Sequence, residues 1–219
     1  MNFKTIDDIE GMFVQFVGIK LPVEYSESEK KEFLSHIVSE EFFTSTYITE
    51  GIRKESSILI FHMHKDFSKL SERVRNMMRT ALGKKSEISY IFSGIIRKSK
   101  YGSKVPLDDY AIIGNSNRGK YLVVYPFVKT SEWYLTDFKK RAEMMLEHVK
   151  VGRKYPCVKQ LLAYSFGIDD QEFIVAYETD DLIAFQDLVM ELRETQARRY
   201  TLRDTPIITA IYSSPDKLL

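Results

Sequence analysis

Residues 121–155 read YLVVYPFVKTSEWYLTDFKKRAEMMLEHVKVGRKY, and the change of period inside them decides the fold. Residues 120–128 form a largely apolar run of strand character, and past Lys129 the spacing turns helical from Ser131 to about His148. His148 is the only histidine of the C-terminal half and stands near the end of that helix. Lys150, Arg153 and Lys154 surround Gly152, which can end the helix, and their charges suit the negative end of its dipole. A neutral imidazole in such a place is a common iron ligand and an equally common bystander, and the cations can equally hold carboxylates.

Downstream, residues 160–166 and 171–179 pair as a hairpin across Gly167, Asp169 and Asp170. Asp180 caps a helix whose apolar stripe is Leu182, Phe185, Leu188, Val189 and Leu192, and residues 207–212 make a closing strand. The order strand, helix, strand, strand, helix, strand is ferredoxin-like. The N-terminal half repeats it without repeating the residues. Residues 11–19 are a strand with apolar groups on both faces, and Ser26 with Glu29 opens a helix striped by Phe33, Leu34, Ile37, Val38 and Phe42 that runs to about Thr44. Strands follow at 47–52 and 57–63. Asp66 then caps a helix carrying Phe67, Leu70, Val74, Met77 and Met78, closed by Gly83, and 88–96 is the fourth strand.

The fold class is therefore α+β, with two tandem ferredoxin-like repeats at 1–118 and 119–219. Each repeat leaves bare the sheet face that its own helices do not cover. Packing those faces together predicts a barrel-type core, the dimeric α+β barrel arrangement built within one chain. The connection from Ser99 to Gly119 holds Gly102, Pro106, Gly114, Asn115 and Asn117, and its length makes it a linker or a pocket lid.

Charge is nearly balanced, 32 Lys and Arg against 31 Asp and Glu, so no whole-chain field points to nucleic acid or an anionic membrane. The basic run RKSKYGSK from Arg97 reads as a solvated loop. Cys157 is alone and cannot form an internal disulfide, and polar and acidic residues interrupt the N-terminus before any signal-like apolar run. A reducing, cytoplasmic setting is expected. No apolar segment approaches the roughly 20 residues of a membrane-spanning helix. His62 and His64 share one face of a strand, but two ligands with only Asp66 nearby make a weak metal pair.

The strings YPFVKTSEWY, EHVKVGRKYP, YSFGIDDQEFIVAYETDD and MELRETQARRYTLRDTP resemble the chlorite dismutase superfamily, in particular its coproheme decarboxylase branch. The resemblance covers about Tyr121 to Pro206, and the N-terminal half matches in layout. It implies that His148 ligates the iron of haem b or coproheme, that hydrogen peroxide is the co-substrate, and that the chain forms a homo-oligomer, a pentamer. It places Tyr125 where the decarboxylase branch has the tyrosine that attacks a propionate. A phenol suits that role because it is neutral at physiological pH and can yield an electron and a proton. If the extended backbone continues through Val128, Lys129 shares the face of Tyr125 and can accept that proton or pair with a carboxylate. Arg153, Lys154 and Arg198 are the candidates for offsetting the propionates, and Trp133, Met145 and Tyr155 could line the ring.

Two departures separate this chain from the dismutases. Their distal arginine falls at Gln160 or Leu161 here, depending on whether one counts from Gly167 or from His148. The glutamate that bonds the second nitrogen of their iron-ligating histidine is replaced by Ala197. Both favour peroxide-dependent decarboxylation of coproheme over dismutation of chlorite. A haem-dependent peroxidase or dismutase remains the alternative among enzymes, and a non-catalytic haem carrier or sensor the alternative of another kind.

Overall fold

Alternation along each strand decides which side of the sheet a residue serves. In β1 (Phe13–Lys20), Val14 and Phe16 point one way and Val17 and Ile19 the other, and all four are buried. Apolar cover is thus required on both faces. The computed structural model describes residues 3, 5–101, 109–113 and 118–219. The first repeat continues through α1 (Glu27–Ile37), β2 (Phe43–Ile48), β3 (Ile58–His64), α2 (Phe67–Arg79), the short α3 (Ala81–Lys85) and β4 (Glu87–Ile96). The second comprises β5 (Tyr121–Lys129), α4 (Ser131–Leu135), α5 (Phe138–Gly152), β6 (Lys159–Tyr164), β7 (Phe173–Thr179), α6 (Leu182–Glu194), β8 (Thr201–Arg203) and β9 (Ile208–Ser213).

Both repeats order their four main strands alike, β4-β1-β3-β2 and β9-β5-β7-β6. Their edges then pair antiparallel. Ile95 and Ile96 of β4 face Tyr164 and Ala163 of β6, and Thr46, Tyr47 and Ile48 of β2 face Ser213, Tyr212 and Ile211 of β9. The result is a closed barrel with no free long edge, and β8 adds only at the end of β5. Its lumen holds Val14, Phe16, Leu59 and Phe61 from one repeat and Leu122, Val124, Ile174 and Ala176 from the other. This is the α+β barrel-type core expected from two ferredoxin-like repeats.

A described piece of the connection between the repeats lies in the lumen. Ala111, Ile112 and Ile113 are fully buried there. Glu178, 1 % exposed, accepts from the Ile112 amide at 2.5 Å, the Arg118 Nε at 2.6 Å and the Gly119 amide at 2.9 Å. Arg118 also donates to Tyr47 Oη at 2.7 Å and Ser45 Oγ at 2.9 Å. A charge taken out of water needs such a full set of partners. Residues 102–108 and 114–117, where most of the expected linker or lid falls, lie outside the described residues.

Several boundaries differ from the sequence expectation. The first helix stops at Ile37, not near Thr44, because Arg73 takes the His36 carbonyl at 3.0 Å and the Ile37 carbonyl as well. Phe43 is then already paired with Met63 in β2 and β3, several residues ahead of the expected strand at 47. The helix expected to end at Gly83 breaks at Thr80, whose hydroxyl caps a new turn through the Gly83 amide at 3.0 Å. The helix expected from Ser131 to His148 breaks at Thr136, and Asp137 restarts it by accepting the Lys139 amide at 2.9 Å. It then continues to Gly152. Asp181, not Asp180, caps α6, through the Ile183 and Ala184 amides at 2.9 and 3.0 Å. The basic run at Arg97 is tied down by Lys98, which pairs with Glu10 at 3.0 Å and with Asp7.

Candidate functional site

The helix that carries His148 meets its sheet through partly buried side chains, with Val151 packed against the cluster of Val175, Tyr177 and Leu188. No side chain of α5 is fully buried, and the helix packs mainly on α6 and on the 3-10 turn Gln196–Tyr200. On the strands beneath, Tyr125, Phe127, Lys129 and Leu162 are only partly buried despite facing a helix layer.

His148 is partly buried on α5. Burial, then the nearby Lys129 cation, pulls its pKa down to about 4 against the opposing effect of Glu147, so the imidazole is neutral at physiological pH. Neutral imidazole is the metal-binding form. Its Nδ1 is buried and accepts or donates no hydrogen bond among the described residues. Ala197, 2 % exposed, lies in the adjoining turn, and the Gln196 amide ties that turn to α5 through Glu147 at 3.0 Å.

Lys129 closes the same corner. The strand β5 does run through it, with an irregularity against β8 at Val128 and Lys129. Its Nζ donates to the Ala197 carbonyl at 3.0 Å and to Thr201 Oγ1 at 3.3 Å, and stands 4.9 Å from the centre of the Trp133 ring. Burial, helped by the Arg198 charge, lowers its pKa to about 8. Trp133, 4 % exposed, also contacts Tyr200 at 5.4 Å between ring centres.

Arg198 links this corner to Tyr125, since its charge acts on both Lys129 and the Tyr125 phenol. Burial raises the pKa of Tyr125 above its ordinary value, so the phenol stays protonated. Asp204 Oδ2 accepts from Arg198 at 2.7 Å and from Arg193 at 2.6 Å. Two guanidiniums on one carboxylate leave a net positive charge beside the phenol. Arg193 and Asp204 escaped the sequence analysis although both stand in the MELRETQARRYTLRDTP string. An arginine in the last turn of a helix reads locally as a dipole partner, and only packing brings the pair to Arg198.

The other expected residues are placed differently. The side chain of Leu161 points into the barrel and is 1 % exposed, whereas Gln160 alternates to the helix side of β6 and is exposed. Arg153 and Lys154 lie past the end of α5 and are exposed, and Lys154 pairs with Glu191 of α6 at 2.5 Å. Tyr155 donates to the same carboxylate at 2.6 Å. A cavity of about 450 Å³ is lined by Phe185, Val189, Met190 and Arg193 of α6 with Val123 of β5 and Thr209 of β9. In the N-terminal repeat, His62 is bonded to Gln15 at 3.1 Å, and no group of three or more potential metal ligands occurs among the described residues.

A closed barrel of two fused ferredoxin-like repeats with helices outside its sheet is the dimeric α+β barrel architecture built within one chain. The chain belongs to the chlorite dismutase family, whose profile matches residues 24–213. It is 31 % identical over 175 residues to the coproheme decarboxylase of Mycolicibacterium smegmatis, covering 79 % of this chain and 74 % of that one. The fold is similar to that of chlorite dismutase from Candidatus Nitrospira defluvii in complex with imidazole, with a TM-score of 0.88 and 23 % identity over 97 % of this chain and 95 % of that chain. A doubly substituted form of the same enzyme gives 0.87 and 24 %, over 95 % and 94 %. No helix among the described residues is long and apolar enough to cross a membrane.

Proposed function

We propose that this protein is a haem-binding oxidoreductase that uses hydrogen peroxide to decarboxylate two propionates of coproheme, yielding haem b. The observation that carries the reading is the identity with a coproheme decarboxylase over most of the chain, combined with a partly buried His148 whose imidazole is held neutral. The residues present suit an iron porphyrin. His148 offers an unprotonated nitrogen, its surroundings are partly desolvated, and Lys129 and the Arg193–Asp204–Arg198 group supply positive charge where propionates need it. When bound, the iron supplies the oxidising power of peroxide, with one peroxide consumed and one carbon dioxide and two waters released for each propionate that becomes a vinyl group.

Within that reaction His148 holds the iron. Tyr125 presents a protonated phenol beside a net positive group, able to give up one electron and one proton and to recover a hydrogen atom from the propionate side chain. Lys129, with a pKa near neutrality, binds a carboxylate or passes a proton. Gln160 is the distal amide, which can bond a propionate or the peroxide but brings no charge. Arg198 anchors propionates, while Arg153 and Lys154 lie at the outer rim and contribute to their attraction. The absence of arginine at Gln160 and at Leu161 argues against chlorite dismutation as the main activity.

The test is reconstitution with coproheme and with hemin, followed by peroxide and mass spectrometry. Stepwise loss of two carboxyl groups is expected from coproheme. Brisk oxygen release from chlorite would instead favour a dismutase, and an unchanged porphyrin a carrier or sensor. The unpartnered His148 Nδ1 favours the carrier as second reading, because a ligand without an anionic partner donates less electron density to iron. Tyr125→Phe is expected to keep coproheme binding and to stop product formation; full turnover removes Tyr125 from the reaction. The pentameric state belongs to the same proposal and is checked by the mass of the holoprotein in solution, as the cytoplasmic location is by cell fractionation.

A further inference from the structure

Arg141 takes no part in the steps above. It lies on α5 seven positions before His148, a spacing that returns to the same helix face about 10 Å away along the axis. Met144 and Met145 stand between them, and all four side chains are partly buried. The Arg141 Nε is itself buried and has no hydrogen-bond partner among the described residues. A buried donor left without a partner costs free energy, so this one calls for an explanation.

The guanidinium is nonetheless held in place. Its central carbon stands 6.0 Å from the centre of the Trp133 ring and 5.7 Å from that of Phe138. Trp133 is 4 % exposed, and Tyr101 stacks on Phe138 at 5.6 Å and meets Trp133 edge-on at 6.4 Å, so the rings are braced in turn. Contact with aromatic faces fixes a guanidinium without using its N–H donors. The donor fork is thus positioned and unspent, the state that suits a planar carboxylate. The same indole carries Lys129 at 4.9 Å, so two cations gather on one ring.

The other cations named for the propionates differ in this respect. Lys154 pairs with Glu191, Arg193 and Arg198 share Asp204, and Arg153 is exposed. Lys129 donates to the Ala197 carbonyl and the Thr201 hydroxyl. Coproheme brings four carboxylates at its rim, and each one removed from water needs a donor or a cation. We infer that Arg141 binds a carboxylate at the rim of the porphyrin whose iron His148 holds. The inference rests on the reading of His148 as the iron ligand. It adds a binding residue two helical turns from that ligand, on the same face.

The test compares two iron porphyrins that differ at the rim alone: coproheme, and its tetra-amide, which is uncharged there. Affinities are read by titrating the iron-linked absorption band. Arg141→Ala is expected to bind coproheme about tenfold or more weakly than the natural sequence, the order of one charge-assisted hydrogen bond. On the tetra-amide that difference should largely vanish. Arg141→Lys, which keeps the charge and loses the fork, should fall between the two on coproheme. The band at saturation should be the same in all three, because His148 is untouched. Urea midpoints show whether Arg141→Ala has folded, and Arg141→Gln, closer in length and uncharged, takes its place if it has not. An arginine that merely braces α5 would weaken both porphyrins equally. That result, or undiminished coproheme affinity without Arg141, overturns the inference. A protein that binds coproheme through Arg141 but leaves it intact under peroxide keeps this site and loses the proposed reaction. One that binds neither porphyrin loses both.

Discussion

The two repeats share one strand order and differ in how their helices meet the sheet. In the first, α1 and α2 bury Phe33, Ile37, Leu70, Val74 and Met77 against Val17, Ile19, Ile58 and Ile60. Arg73, the buried cation of that layer among the described residues, is 7 % exposed and directs its donors to the end of α1, to Thr44 Oγ1 at 2.8 Å and to His62 Nδ1 at 3.5 Å. His62 continues through Gln15 to Ser93 at 3.1 Å each, so a buried polar row is closed within itself. In the second repeat, α5 buries nothing fully, and His148 leaves a nitrogen without a partner. The same topology thus makes a fully buried stripe once and a partly buried one once. Leu70, Arg73, Val74 and Met77 are buried on α2, whereas Arg141, Met144, Met145 and His148 on α5 are only partly so. A filled layer favours stability, and an unfilled one keeps room for a ligand at some cost to it.

The sharpest way to break this contrast is to exchange the histidines. His148→Ala is expected to abolish the iron-linked absorption of the coproheme complex with little change in the urea midpoint. His62→Ala should leave that spectrum intact and lower the midpoint instead, and a spectrum lost from both would end the distinction between the repeats. Next in size is the packing difference. Phe33→Ala, at a site with no exposure, is expected to cost about 3–5 kcal/mol in urea unfolding, whereas Met145→Ala, at a partly buried site on α5, should cost under about 1 kcal/mol. Equal losses would mean that the two helix layers are equally packed.

The smallest expected effect is on acid stability of the porphyrin-free protein. Burial holds the folded-state pKa of His62 down to about 3 and that of His148 to about 4, both below the ordinary 6.5. Between those values and 6.5 the unfolded chain binds protons that the folded chain refuses, so stability falls as pH drops through that window and levels off below it. His62→Gln should flatten the fall further into acid than His148→Gln does. Urea midpoints taken across the window test this, and identical profiles for the two variants would remove the difference in burial.

Much of the frame was legible in the residues. Ser26 with Glu29 and Asp66 each cap the helix that they were expected to cap, because a cap depends on neighbours within four positions. Where a boundary was missed, a distant group had intervened. Arg73 ends α1 from another helix, and the β3 ladder claims Phe43 for β2. Asp137 is the counterexample: its capping of α5 was a local signal inside a run whose apolar periodicity concealed the break. The site divides in the same way. His148, Tyr125, Lys129 and Arg198 could be named from linked motifs, whereas Tyr177, Arg193 and Asp204 join them only through contacts across strands and turns.

By itself the sequence determined the period of each segment, the order of the elements and their repetition, because alternation, helical spacing and capping are properties of neighbouring residues. Tertiary structure alone decided that α5 buries no side chain fully, that Leu161 faces the barrel while Gln160 does not, and that the Tyr125 and Tyr177 rings lie side by side. Those outcomes depend on which side chains meet across strands and helices far apart in the chain, and no local pattern contains that distance.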